Sequence, residues 1–328
     1  MVHQLKKYSY VILALAMFGC NNDPKTVNTD ETKEVVSTEQ KSRTIPQFNE
    51  QNAYDYIQKQ VEFGPRVPGS KEHFNTFEFL RNELLKHCDT VMVQSGGSTT
   101  FDQVQIPIYN IIGSFNPEAS KRVLLCAHWD TRPFADEDDS ASTAPILGAN
   151  DGGSGVGILL ELAQMIKSNP LDYGIDIIFF DAEDWGKGSV ENSFCLGSQF
   201  WGKNTHVPNY QADYGILLDM VGSKGAQFAI EGFSQQTAPY VVKKVWSAAA
   251  ELGHSNLFTN YNRGYVTDDH FYVNQATGIP MIDIINYNPS SAQAFGEYWH
   301  THDDNMDVID KNILKAVGQT LTIVLYRE

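Results

Sequence analysis

The sequence predicts an α/β fold, a three-layer sandwich in which helices flank a mostly parallel, twisted central sheet. Two observations carry that expectation. Four short, β-branched apolar runs each end in a polar residue, and segments with helical spacing lie between them. Strands that are apolar at every position are the kind covered on both faces, as in a parallel sheet packed between helices.

The strand runs come in order. Val123-Leu124-Leu125-Cys126-Ala127 ends in His128, and Ile175-Asp176-Ile177-Ile178-Phe179-Phe180 ends in Asp181. Ile216-Leu217-Leu218 ends in Asp219, and Met281-Ile282-Asp283-Ile284-Ile285 ends in Asn286. A helix is expected from Val156 to about Ser168, stopping before Pro170. Another runs from Ala238 to about Leu252, closed by Gly253. A last helix, Ile309 to Tyr326, presents Ile313, Leu314, Val317, Leu321, Val324 and Leu325 to a core.

The 328 residues are 42% hydrophobic, enough to bury one large core, and no second linker or repeat interrupts residues 45–328. Before that body lie two other segments. Lys6 and Lys7 precede an apolar stretch, Val11 to Phe18, too short to cross a bilayer as a helix, which takes roughly 20 residues. The stretch ends in Met17-Phe18-Gly19-Cys20. This resembles a bacterial lipoprotein signal over residues 1–20, with Cys20 as the lipidated residue. Residues 21–44 are polar and charged, a composition suited to a disordered tether. The expected location is therefore outside the cytoplasm, lipid-anchored to a bacterial membrane and facing the periplasm or cell surface.

Charge excludes one class of partner. The formal net charge is −16 and no Lys/Arg run occurs, so nucleic acid is not an expected ligand. Beyond Cys20 the cysteines are Cys88, Cys126 and Cys195, spaced wrongly for a disulfide framework or a thiolate zinc site. They read as buried free thiols.

Ligands of open α/β sheets bind beyond the carboxyl ends of the strands, and here those ends are crowded with polar groups. His128-Trp129-Asp130 follows the first strand, and Asn150-Asp151-Gly152-Gly153-Ser154-Gly155 opens a helix. Glu183-Asp184 follows the second strand and Asp219 ends the third. Trp299-His300-Thr301-His302-Asp303-Asp304 comes after the fourth. An isolated Asp at a strand end is usually a cap or solvated, but five such groups at strand mouths define a site. Mixed His, Asp and Glu ligands suit zinc. The acidic run Asp136 to Asp139, in the loop between Asp130 and Asp151, reads as a solvated rim.

In this order the motifs resemble those of the M28 zinc aminopeptidases and their relatives, the animal-type glutaminyl cyclases, from about Gly64 onward, including Gly64-Pro65-Arg66-Val67-Pro68-Gly69-Ser70. The resemblance implies an M28 zinc-peptidase-like sandwich, with zinc on Asp151, Asp184 and His300 and with Glu183 as the general acid/base. In the aminopeptidase pattern, His128 and Asp219 hold a second zinc bridged by Asp151. In the cyclase pattern that second site is a remnant, one zinc is bound per chain, and Asp219 hydrogen-bonds a further acid, matched by Asp268. The second residue of the acidic pair is usually Glu. Asp184 is a methylene shorter, so its backbone must approach the metal more closely.

Val266-Thr267-Asp268-Asp269-His270 and the stretch from Phe295 to Asn305 are closer to the cyclases. There Phe295 and Trp299, with Trp185, Val266 and Thr267 nearby, are expected to shape a pocket for a glutamine side chain. The activity implied is conversion of N-terminal Gln to pyroglutamate on peptides or proteins. The alternatives are a two-zinc aminopeptidase and a non-catalytic receptor, and a receptor has no use for Glu183 beside Asp184.

Overall fold

The computed structural model describes residues 44–328 apart from 140–142, 263, 289 and 292–293. The expected signal, Cys20 and nearly all of the tether lie outside the described residues. Residues Arg43–Glu328 form one compact unit.

The central sheet has six strands in the order β1-β2-β4-β3-β5-β8. These are β1 (Thr90–Thr99), β2 (Gln105–Phe115), β3 (Arg122–His128), β4 (Gly174–Phe180), β5 (Tyr214–Asp219) and β8 (Met281–Ile285). Strands β4, β3, β5 and β8 are parallel neighbours, while β1 and β2 form an antiparallel pair joined to β4. The four apolar runs are thus the four parallel strands, and every residue of β3, β4, β5 and β8 is buried. The antiparallel edge is absent from the sequence-level reading. β1 alternates between partly buried and exposed positions and carries Gly and Ser, so no apolar run marks it.

Packed on the sheet are α1 (Glu50–Glu62), α2 (Lys71–His87), α3 (Gly153–Ser168) and α4 (Leu196–Lys203), then α5 (Gly232–Thr237), α6 (Pro239–Glu251), α7 (Asp269–Thr277) and α8 (Lys311–Tyr326). A small two-stranded parallel sheet pairs β6 (Phe228–Ile230) with β7 (Phe258–Asn262). The expected helices correspond to α3, α6 and α8. Asp310 caps α8 by accepting from the Asn312 amide, and Gly253, at φ +82°, closes the turn after α6. Helices α1 and α2 escape the sequence reading because polar residues dilute their apolar stripes.

Helix α3 begins three residues earlier than the apolar pattern indicates, at small residues that let it lie against the sheet. A Cβ on Gly155 would stand 2.3 Å from the Leu218 carbonyl oxygen. Gly152 has φ +81°, and a Cβ there would meet the Asp130 carbonyl at 2.6 Å. The glycines therefore press the amino end of α3 onto the ends of β3 and β5, which places Asp151 in the crevice. No described helix is long and apolar enough to cross a membrane. Cys88, Cys126 and Cys195 are buried and unbonded to one another.

Candidate active site

At the carboxyl ends of the parallel strands lies a cavity of about 520 Å³. Its wall includes Asp151, Glu183, Asp184, Asp219, Asp268 and His300, with Val266, Thr267, Phe295 and Trp299 beside them. Residues far apart in sequence meet there because most of them lie at or beyond the carboxyl ends of strands β3, β4, β5 and β8 of one sheet.

His300 Nε2 stands 3.1 Å from Asp184 Oδ1 and 3.9 Å from Asp151 Oδ2, and all three side chains are buried. Asp184 Oδ2 has no hydrogen-bond partner. Two carboxylates and an imidazole converging at these distances, with a buried lone pair left over, fit a divalent cation of zinc's type. The outer contacts favour the same fit. Asp136 Oδ1 lies 3.3 Å from His300 Nδ1 and so turns Nε2 inward. Arg132 grips Asp136 through two 2.6 Å hydrogen bonds and donates to the Asp184 carbonyl at 2.8 Å. Asp130 accepts from the amides of Glu183 (2.9 Å) and Asp184 (3.2 Å). Arg132 and Asp130 thus fix the backbone of the acidic pair, which accommodates the shorter Asp184. Burial opposes protonation of His300, yet Asp184 and Asp136 lift its pKa to about 9, so cation binding there would displace a proton.

The loop bearing Asp151 is held by Asp304, whose oxygens accept from the amides of Asn150 (2.8 Å) and Asp151 (2.9 Å). His300 adopts a left-handed backbone (φ 56°) and Trp299 stacks on its ring at 3.7 Å. Phe295 packs on Trp299 at 4.8 Å and Tyr287 on Phe295 at 4.9 Å, giving the cavity an aromatic wall.

The other two ligand candidates, His128 and Asp219, also meet, with Asp151 shared. His128 Nε2 is 3.1 Å from Asp151 Oδ1 and 3.2 Å from Asp219 Oδ1. Burial disfavours the imidazolium, but Asp130, Asp151 and Asp219 outweigh it and hold His128 well above 6.5. These three groups could also hold a cation.

Glu183 faces the cavity with Cys195 Sγ at 3.2 Å from its Oε1. Burial first, then Asp184, Asp268 and Asp269, raise its pKa well above 4.5 against the opposing pull of His128. The site therefore places a carboxyl that resists ionisation beside the candidate metal ligands.

Three expectations need correction. Asp219 and Asp268 are not hydrogen-bonded. Asp219 Oδ1 takes His128 instead, while Asp268 Oδ1 accepts from the Asp269 amide and Asp268 Oδ2 has no partner. The two acids still sense each other, since burial and then Asp268 raise Asp219 to about 7 while His128 lowers it. Trp185 does not line the cavity. It packs with Ile106, Ile108 and Leu196 instead. Asp136 is not simply solvated rim but the partner of Arg132 and His300. Arg132 and Asp136 carried a usable signal, a charged pair at i, i+4 in the loop before Asp151.

A profile of peptidase family M28 matches residues 110–325, and the chain belongs to that family. Among its solved relatives, Tannerella forsythia glutaminyl cyclase is 51% identical, with a TM-score of 0.84 over 86% of this chain and 100% of that one. A Zn-dependent exopeptidase from Parabacteroides distasonis is 50% identical, with a TM-score of 0.85 over 87% of this chain and 100% of that one. The glutaminyl-peptide cyclotransferase of Bos taurus is 26% identical over 299 residues, 80% of this chain and 77% of its own.

Proposed function

We propose that the chain is a zinc-dependent glutaminyl-peptide cyclotransferase, closing the N-terminal Gln of a peptide to pyroglutamate with release of ammonia. The observation that carries this reading is Glu183 beside the Asp151–Asp184–His300 cluster, under an aromatic wall, in a chain half identical to a glutaminyl cyclase along that protein's whole length.

Asp151, Asp184 and His300 would hold one zinc, which supplies Lewis-acid polarisation of the side-chain amide oxygen. Phe295, Trp299, Val266 and Thr267 enclose the glutamine side chain and exclude water that would compete for the amide carbon. The α-amine nitrogen attacks that carbon, so one C–N bond forms and the bond to the leaving nitrogen breaks. Glu183 takes the proton from the attacking amine and returns it to the leaving nitrogen, which departs as ammonia. Burial raises both Asp219, to about 7, and Asp268, and each disfavours a second negative charge on the other, so the pair resists full ionisation beside Glu183. No water nucleophile and no second metal are needed.

The two-zinc aminopeptidase remains the second reading because His128, Asp151 and Asp219 are assembled. Incubation with an N-terminal Gln peptide and mass spectrometry separates the two. Loss of one ammonia per peptide is the expected result, and loss of a whole residue would establish the aminopeptidase.

Export rests on the amino-terminal pattern. Cys20→Ser should move the protein from the membrane to the soluble fraction with activity intact, because the compact unit begins at Arg43. A variant that still sediments with membranes rules out Cys20 as the anchor.

A further inference from the structure

Cys195 is a buried thiol to which the proposed chemistry gives no role, yet it stands against the side chain that chemistry most needs. Its Sγ lies 3.2 Å from Glu183 Oε1, with Asp268 Oδ1 more distant at 4.0 Å. Glu183 lines the cavity and Cys195 does not, so a bound substrate meets the carboxyl and not the thiol behind it.

The backbone builds this contact. The Cys195 amide donates to the Glu183 carbonyl at 2.8 Å, and the Leu196 amide donates to the Ala182 carbonyl at 2.9 Å. Both turns use left-handed backbone at residues other than glycine, with φ 57° at Cys195 and 52° at Ala182, a region that side chains seldom enter. A Cβ on Gly197 would fall 2.1 Å from the Asp181 carbonyl oxygen, so glycine there lets α4 start this close to the end of β4. One residue thus holds Glu183 twice, by its amide on the carbonyl and by its thiol on the carboxyl. Burial first, then Glu183, pushes the thiol well above 9, so the sulfur keeps its hydrogen and can donate it.

The two carboxyl oxygens of Glu183 are therefore unequal. Oε1 is taken by the thiol. Oε2 has His128 Nδ1 at 3.9 Å, too long for a hydrogen bond, and among the described residues no hydrogen bond engages it. We infer that Cys195 is a positioning residue whose S–H, donated to Oε1, fixes the Glu183 carboxyl and leaves Oε2 as the oxygen that exchanges protons with the substrate. The inference rests on Glu183 being the acid/base group, as the proposed function has it.

The test compares Cys195→Ala, which removes the donor, with Cys195→Ser, which keeps one on the same Cβ, in the full zinc-loaded chain. On an N-terminal Gln peptide, Cys195→Ala should lower kcat by about 10–10²-fold, the cost of a misplaced group. KM and zinc content should hold, as for a group that acts in the transition state, and Cys195→Ser should recover most of the loss. A cysteine that only fills space would leave the two variants equally active. Near-wild-type kcat in Cys195→Ala, or Cys195→Ser as slow as Cys195→Ala, overturns the role. Should Cys195→Ala fail to fold, infrared spectroscopy decides. The Cys195 S–H stretch, taken as wild type minus Cys195→Ser, should lie at the lowered frequency of a hydrogen-bonded thiol and shift in Glu183→Gln. A band at the free-thiol frequency, or one indifferent to Glu183→Gln, overturns the contact. Wild type that releases no ammonia would instead sink the cyclase reading, with the infrared result still deciding Cys195.

Discussion

Glu183→Gln is expected to keep the fold and the bound zinc while reducing turnover by about 10²–10⁴-fold or more. The amide preserves the volume of the side chain and its ability to orient a substrate by hydrogen bonding. It cannot accept the proton of the attacking amine and deliver one to departing ammonia. Because burial and three neighbouring carboxylates hold Glu183 well above 4.5, the base form is lost as pH falls through that raised value. The acidic limb of the wild-type turnover profile should therefore lie well above pH 4.5. Steady-state assays with metal analysis on the same samples check both points. A variant retaining zinc and near-normal turnover would remove Glu183 from the chemistry.

Asp268→Asn separates the two enzymatic readings most sharply, with a loss of about tenfold or more in cyclase turnover and the Asp151–Asp184–His300 zinc retained. The substitution removes a negative charge from beside Glu183 and from the Asp219–Asp268 pair, so proton exchange at Glu183 and proton storage at Asp219 both change. In an aminopeptidase Asp219 would be committed to metal with His128, and Asp268 would be peripheral. Near-wild-type turnover of the variant on an N-terminal Gln peptide would count directly against the cyclase.

Both variants act on residues whose types were legible in the sequence while their contacts were not. His128, Asp219 and the Glu183–Asp184 pair stand at or just after the ends of continuous apolar runs, and a buried strand that ends in a polar group announces a site at its mouth. Asp151 was marked by the glycines that follow it. His300 was marked by the polar group beyond the fourth strand, whereas Asp268 follows no strand of the central sheet directly, and only the resemblance to a family pointed to it.

Trp185 shows the limit of reasoning by adjacency. One residue beyond a metal-ligand candidate, it packs into a small apolar cluster with Ile106, Ile108 and Leu196 rather than into the cavity. Arg132 and Asp136 show the reverse. A run of acids in a long loop has the composition of a solvated rim. Only the fold turns that loop back over the strand ends, where one acid orients His300 and one arginine ties the acidic pair in place.

The sequence by itself determined the four parallel strands, three of the flanking helices and the polar residue types gathered at the strand ends, since these follow from local periodicity and from residue chemistry. Tertiary structure decided which acid pairs with which. Asp219 turned to His128 rather than Asp268, and His270 was set by Glu231, 39 positions earlier in the chain. Periodicity acts over a few residues, whereas the partner of a buried charge is chosen by whichever donor the packing of distant strands brings within about 3 Å.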